Sequence, residues 1–314
     1  MATSSRHKRR TTIWGVIMRL SLSRPQRGYI LVVVAAFTFA AKTILVKLCY
    51  RYEADPITIL ALRMCFAGAV FGSVLIYNLV KGNWGLRFTA RQWLWLLLLA
   101  LLGYYVSTLL DFMGLMYIDA SLGRMILFLY PTMVVIINAV LTRTAIRGST
   151  WLALGLCYGG IFLMMVPDIG GAMPNFWLGS FLIFLSALLY AVYLVGVDRL
   201  LEKMDPIRFT SVIMCLCCLI VAAHFLATRE LSDLAVPAPV VFYGALMGLL
   251  ATVLPIYAIT YGISLIGASK AAMVSMIGPV LTFIMGMIVL DETLTPVQLA
   301  GMFLVMAGVT RVGK

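Results

Sequence analysis

An internal repeat runs through this sequence. Residues 94–165 align without a gap with residues 242–313, which lie 148 positions further along the chain. Agreements of Leu and Val mean little inside apolar runs, so the small residues and a proline give the match its weight. These pairs are Gly114 with Gly262, Ala120 with Ala268, Ser121 with Ser269, Met125 with Met273, Pro131 with Pro279 and Gly160 with Gly308. A repeat of this length predicts two related structural halves.

The two halves are too apolar for a water-soluble protein. The chain is 63% hydrophobic and 11% charged, whereas a soluble domain carries about 25% charged residues. A helix needs roughly 20 apolar residues to cross a bilayer, and ten runs meet that requirement. They are residues 28–50, 57–80, 92–115, 120–142, 149–167, 176–200, 206–228, 239–264, 268–290 and 296–312. We therefore predict an all-α polytopic membrane protein with ten transmembrane helices, five in each half.

Short segments with helix-ending residues separate these runs. They are Asp55-Pro56, Asp168-Ile-Gly-Gly, Asp205-Pro206, Pro237-Ala-Pro239 and Thr295-Pro296. The predicted organisation is a basic N-terminal arm at residues 1–27, a first repeat at 28–167 and a second repeat at 176–312.

The positive charges orient the predicted helices. With the N-terminus inside, the basic arm and most inner loops carry Lys or Arg, and the outer side receives only Arg51 and Arg229. Because cytoplasmic loops are enriched in Lys and Arg, we predict two cytoplasmic termini and a multi-pass protein of the bacterial inner membrane. The same distribution explains the net charge of +12 without a nucleic-acid partner. Because each half has an odd number of spans, the second half enters the membrane from the opposite side. The repeats should therefore be inverted, which permits alternating access.

Several motifs add a family resemblance. Residues 39–47 (FAAKTILVK) and 56–63 (PITILALR) resemble the first two helices of EamA-type permeases, in the drug/metabolite transporter superfamily. Ala120-Ser121, Tyr130-Pro131-Thr132, 267–271 (GASKA) and Gly278-Pro279 are similar to the repeated signature of that family. The resemblance spans about residues 28–312. It implies a ten-helix carrier that moves small metabolites, commonly amino acids or related compounds, often out of the cell. It also implies that helices 1, 3, 4, 6, 8 and 9 surround the cavity.

Five ionisable residues fall within or at the edges of the predicted spans, and all belong to the first repeat. They are Lys42, Lys47, Arg63, Asp111 and Arg124. A charge in the bilayer is costly, so such residues usually face a cavity or a partner. Counting 1.5 Å per residue places Lys42 and Arg63 deep at one level, without a carboxylate there. Our hypothesis is that Lys42, assisted by Arg63, binds an anionic group of the substrate such as a carboxylate.

Each of these residues also has a structural interpretation. Arg63 could hold helices together through backbone carbonyls, and Lys42 could be buried in its neutral form. Asp111 and Arg124 fall nearer the outer end and form either a structural ion pair or a gate. Lys47 should extend its amine to the nearby water.

Prolines and tyrosines inside the spans give further candidates. Pro131, Pro255 and Pro279 are predicted to kink helices 4, 8 and 9. Tyr130 and Tyr193 are candidates for the cavity wall, with core packing as the alternative. Small residues should let helices 5 and 10 approach closely, and the cysteines are interpreted as small packing residues. The small residues are Gly159, Gly160, Gly301 and Gly308, and the cysteines are Cys49, Cys65, Cys157, Cys215, Cys217 and Cys218.

The sequence argues against several other functions. Every Glu falls in a loop or at a boundary, which disfavours multidrug cation efflux, and no GxxxxGK[ST] motif supports direct ATP coupling. With only two His residues and no clustered acids, an enzyme is not expected, nor is a metal or cofactor. A lipid-linked flippase and an accessory subunit stay open as alternatives. The expected partners are a small-molecule metabolite and the lipid bilayer, and a homodimer is left open.

Overall fold

The computed structural model describes residues 23–85, 88–118, 123, 126–165, 175–202, 204–278, 280–281, 284 and 295–311, and every regular element among them is helical. We number the main helices α1 to α10. Their bounds are Arg24–Tyr50 (α1), Pro56–Val80 (α2), Ala90–Tyr117 (α3), Tyr130–Thr142 (α4), Gly148–Met165 (α5), Phe176–Leu201 (α6), Pro206–Thr228 (α7), Ala238–Ile266 (α8), Ala268–Ser275 (α9) and Pro296–Val309 (α10).

Six of these helices are long and apolar enough to cross a membrane: α1, α2, α3, α6, α7 and α8. Shorter apolar helices occur within α4, α5 and α10. Large apolar side chains on the outside, such as Trp177 and Phe303, are exposed in the isolated chain, as expected for surfaces that face lipid. The prediction of an all-helical, multi-pass membrane protein is confirmed.

Two Asp-Pro separators start helices at equivalent places in the two halves. The Asp55 carboxylate accepts hydrogen bonds from the backbone N–H groups of Ile57 and Thr58. Asp205 accepts one from the N–H of Arg208. Each is followed by a proline at the first helical position, where the missing N–H costs nothing.

The fourth and ninth predicted helices are interrupted rather than kinked. A turn at residues 128–129 precedes α4, and a turn at residues 276–277 follows α9. These turns lie 148 positions apart, so the two halves break at the same place. Pro131 is therefore in the first turn of α4, where proline is tolerated, and the helix breaks directly before it. Pro279 lies outside the described residues.

Helices α3 and α8 share another irregularity. Residues Leu99–Val106 of α3 and Leu249–Val253 of α8 form π-helical turns. With the 148-residue offset the first segment corresponds to residues 247–254, which contain the second. Pro255 lies two residues after the second of them, inside a helix that continues to Ile266.

The packing of α5 on α10 is reciprocal. A Cβ atom placed on Gly160 would lie 2.5 Å from the Gly301 carbonyl oxygen. A Cβ atom on Gly308, the repeat mate of Gly160, would lie 2.8 Å from the carbonyl oxygen of Ala153, the mate of Gly301. Residue numbers rise along one helix as they fall along the other, so the two run antiparallel. The predicted close approach of helices 5 and 10 is confirmed at Gly160 and Gly308, whereas nothing lies within 4 Å of a Cβ atom on Gly159.

The pairs α3–α6 and α8–α1 mirror each other in the same way. A Cβ atom on Gly114 of α3 would meet Ile183 of α6 at 2.4 Å, and one on Gly262 of α8 would meet Val32 of α1 at 2.7 Å. Each first helix of one half therefore packs against the third helix of the other. This exchange brings α1, α3, α6 and α8 together around the centre of the molecule.

Candidate functional site

A cavity of about 120 Å³ lies at this centre. Helices α1, α3, α4, α6, α8 and α9 contribute to its wall, as the resemblance implies, and α2 adds Arg63. Its ionisable and aromatic lining consists of Lys42, Arg63, Asp111, Phe39, Tyr104, Phe128, Tyr130 and Tyr190, and its hydroxyl lining includes Ser107, Thr108, Ser186 and Ser275.

Lys42 and Asp111 form an ion pair in this wall. Lys42 Nζ lies 2.7 Å from Asp111 Oδ2, and the two side chains are 15% and 6% exposed. The expectation that Lys42 has no carboxylate at its level is therefore wrong. Lys42 and Asp111 lie at similar distances from the ends of α1 and α3, which run parallel.

The Nε atom of the Arg63 guanidinium makes a hydrogen bond, whereas its Nη1 atom makes none among the described residues. Its Nε donates to Thr252 Oγ1 at 2.6 Å, and that hydroxyl donates to the Met247 carbonyl oxygen at 2.7 Å. Thr252 lies in the π-helical turn of α8. Arg63 is 2% exposed, and its Nη1 is buried without a hydrogen-bond partner among the described residues. The proposed backbone-carbonyl anchor is thus replaced by a threonine hydroxyl.

Phe112 lies between the two cations. Its ring centroid is 5.9 Å from Lys42 Nζ and 5.9 Å from Arg63 Cζ, within the range of cation–π attraction. The described lining thus holds two cations and one carboxylate. Since the carboxylate neutralises Lys42, the positive charge of Arg63 is left without a counter-ion there.

Four tyrosines form an aromatic layer beside these charges. Tyr130 contacts Tyr190 with ring centroids 5.1 Å apart, and Tyr104 contacts Tyr193 at 4.8 Å. Tyr130 lines the cavity, whereas Tyr193 does not. Tyr193 is 1% exposed and packs on Gly103. A Cβ atom added to Gly103 would lie 2.3 Å from the Cβ atom of Tyr193. Its placement fits the core-packing interpretation.

In the first half, a backbone carbonyl group at the helix break accepts a hydrogen bond from a neighbouring helix. The Tyr158 hydroxyl of α5 donates to the Phe128 carbonyl oxygen at 3.1 Å and also contacts Thr132 Oγ1. Backbone that leaves a helix inside a membrane needs such a partner or a cavity. The break lets Phe128 and Tyr130 both reach the cavity wall.

Lys47, a further charged candidate, does not line this cavity. Lys47 Nζ donates to the carbonyl oxygens of Leu115 and Ile118 at 2.9 and 3.1 Å. It therefore binds the C-terminal end of α3, which carries partial negative charge, and the prediction that it extends to water is wrong. Arg124 lies outside the described residues, and the carboxylate expected to pair with it, Asp111, pairs with Lys42.

Sequence reasoning missed Thr252 and the paired serines of the wall. Ser107 Oγ donates to the Ser186 carbonyl oxygen at 3.1 Å, and Ser186 Oγ donates to the Ser107 carbonyl oxygen at 2.7 Å. Thr252 is the repeat mate of Tyr104. A hydroxyl at both positions was the available signal, because Thr252 binds Arg63, which lines the same cavity as Tyr104.

The chain matches known transporters along most of its length. The model of the EamA-like transporter family matches residues 26–166 and again residues 177–313. An uncharacterized transporter of Bacillus subtilis, YcbK, is 30% identical over 295 residues, which cover 90% of this chain and 92% of that protein. An uncharacterized transporter of Archaeoglobus fulgidus is 26% identical over 258 residues, which cover 81% of this chain and 87% of that protein.

A solved structure shares the fold. It superposes with a TM-score of 0.73 at 15% identity and covers 92% of this chain and 98% of its own. At that identity the likeness bears on fold alone. The two family matches together span most of the chain and agree with the multi-pass helical architecture. This protein therefore belongs to the EamA-like transporter family of membrane transporters.

Proposed function

We propose that the protein is a secondary carrier that exports small metabolites bearing a carboxylate, such as amino acids, by alternating access. The observation that carries this proposal is the buried guanidinium of Arg63, which lines the central cavity without a counter-ion among the described residues. A buried charge without a partner of opposite sign is costly, so binding such a partner stabilises the protein. The carboxylate of a substrate supplies that partner.

The remaining wall suits the rest of such a substrate. Lys42 is already paired with Asp111, so the cavity needs one negative charge for neutrality rather than two. Aromatic rings from Phe39, Tyr104 and Tyr190 provide an apolar surface for the body of the molecule. Small-molecule sites typically combine an apolar wall with a few placed polar groups.

Alternating access requires two halves that exchange roles. We assign them to residues 28–167 and 176–312, each with five transmembrane helices and in inverted orientation. The reciprocal glycine contacts, the antiparallel course of α5 and α10 and the two successive family matches support this assignment. The interruptions at residues 128–129 and 276–277 give each half a bending point beside the cavity.

The orientation rests on the basic residues. Most loops assigned to the inner side carry Lys or Arg, so both termini face the cytoplasm of a bacterial cell, across its inner membrane. In this orientation the basic segment 1–27 is a cytoplasmic arm.

Transport by purified protein in liposomes tests the proposal. Amino acids, organic acids and sugar phosphates are first screened by thermal shift, because a bound ligand stabilises the folded protein. Arg63→Gln should bind the carboxylate hits at least about 30-fold more weakly, the effect of losing one buried charge partner. Arg229→Gln, which removes a half-buried cation that lies 3.4 Å from Asp55 and outside the lining of the central cavity, is the control and should transport normally.

Two results would contradict the proposal. Absence of flux for every screened compound with wild-type protein would favour an accessory subunit. Normal carboxylate transport by a folded Arg63→Gln variant would remove Arg63 from substrate recognition.

A further inference from the structure

A second cavity, of about 300 Å³, lies where α4 ends, α5 and α9 begin and α10 ends. It is separate from the central cavity and is lined by residues of both halves. Arg147 precedes α5, Lys270 lies in the first turn of α9, and Arg311 follows α10. Asn138 and Ser269 join the two halves across it through a hydrogen bond of 3.1 Å.

Among the described residues, these three cations have no counter-ion within ion-pair distance. No carboxylate lines this cavity, and none of the three forms an ion pair within the described part of the chain. Like charges brought together in a concavity repel and create a positive potential there. A ligand with negative charge relieves the repulsion.

Backbone and hydroxyl donors face the same space. Ser149 and Thr150 come from the first turn of α5, and Ser269 comes from the first turn of α9. The N-cap of α9 is Gly267, and the backbone N–H of Ala268 interacts with the Asp198 carboxylate. Helix starts favour phosphate and other anions, and here the start of α5 adds to the side-chain cations.

The surroundings of the cavity indicate where the anion comes from. Trp151 and Leu152, near the start of α5, are 50% and 49% exposed, and Met306 near the end of α10 is 40% exposed. These apolar side chains lie in the helices whose ends carry Arg147 and Arg311. Trp is typical of the membrane interface, so the cations lie at headgroup level beside a surface suited to acyl chains.

We propose that this cavity binds the phosphate group of an anionic phospholipid, whose acyl chains lie against the exposed flank of α5 and α10. The lipid bridges α4 and α5 of the first half to α9 and α10 of the second. The site stands apart from the central cavity, so it does not depend on the identity of the transported substrate.

Lipid binding to the purified protein tests this proposal, by native mass spectrometry and by thermal shift with added lipid. The probes are phosphatidylglycerol, phosphatidylcholine and inorganic phosphate. The variant Arg147→Gln/Lys270→Gln/Arg311→Gln should bind phosphatidylglycerol about 10- to 100-fold more weakly, from the loss of three cations near an anionic headgroup. The control, Arg24→Gln/Arg91→Gln/Arg199→Gln, removes the same charge from exposed residues elsewhere and should bind like the wild type.

Three outcomes would overturn the assignment. These are equal weakening in the control, equal affinity for phosphatidylcholine, or binding of inorganic phosphate with no binding of phosphatidylglycerol. The single variant Lys270→Gln covers the case in which the triple variant fails to fold. It should weaken phosphatidylglycerol binding several-fold, and unchanged binding would also overturn the proposal.

Discussion

The interface between α5 and α10 and the wall of the central cavity use the internal repeat in opposite ways. At the interface, repeat mates make the same contacts in exchange, as Gly160 and Gly308 do. In the cavity, repeat mates differ in chemistry. Asp111 corresponds to Ile259 and Tyr130 to Gly278, and all four line the same space.

This difference separates two requirements on the chain. Under the proposed alternating access, packing between the two halves benefits from symmetry, because the same fit must serve in both arrangements. Recognition of one molecule in one orientation needs an asymmetric wall. The charges Lys42, Arg63 and Asp111 accordingly belong to the first half alone.

The largest expected effect comes from breaking the asymmetric charge pair. Lys42→Met leaves the buried Asp111 carboxylate without its partner at 2.7 Å, which should lower the free energy of unfolding by about 3–5 kcal/mol. Lys42→Met/Asp111→Asn should recover most of that loss, since no uncompensated charge remains. Unfolding of the four proteins of this cycle in detergent measures the coupling, and additive losses would show that the pair does not act as a unit.

A smaller and symmetric effect is expected at the α5–α10 interface. Gly160→Ala and Gly308→Ala each place a Cβ atom within 2.8 Å of backbone atoms, so each should lower the unfolding free energy by about 1–3 kcal/mol. The two losses should be equal within error. Gly155→Ala on α5 is the control, because nothing lies within 4 Å of its added Cβ. A loss at only one of the two glycines would mean that the interface is not reciprocal.

The smallest effect is expected at the two helix caps. Asp205→Ala should cost about 1 kcal/mol. Asp55→Ala should cost more, because Asp55 also accepts from the Thr58 hydroxyl at 2.5 Å and lies 3.4 Å from Arg229 Nη2. Unfolding temperatures of the two variants rank these losses, and a larger loss at Asp205 would contradict the ranking.

The Asp55 cap also predicts a dependence on pH. Burial opposes ionisation of Asp55, but hydrogen bonds from Thr58 and Ile57 and the charge of Arg229 hold its pKa below the ordinary value. A lowered pKa in the folded state adds stability above the unfolded value of about 3.9, and that stability is lost as the pH falls through the folded value. Asp55→Asn should therefore lose less stability than the wild type between about pH 5 and pH 3.

Local chemistry was predictable from the sequence, and long-range pairing was not. Asp55-Pro56 predicts a helix start because cap and proline act within one turn. The bond from Arg63 to Thr252 joins residues 189 positions apart, and no local pattern indicates it. Asp111 was assigned to the wrong level because a regular rise was assumed, whereas α3 contains a π-helical turn and extends to Tyr117.

Those π-helical turns also set the phase of the helix that follows each of them. A π turn amounts to one extra residue in an α-helix, and α3 and α8 both contain one in the stretch that aligns without a gap. Removing it from one copy alone would rotate the following part of that helix by about 100°. Because both copies carry it, Asp111 and Ile259 keep equivalent positions on their helices and differ only in chemistry.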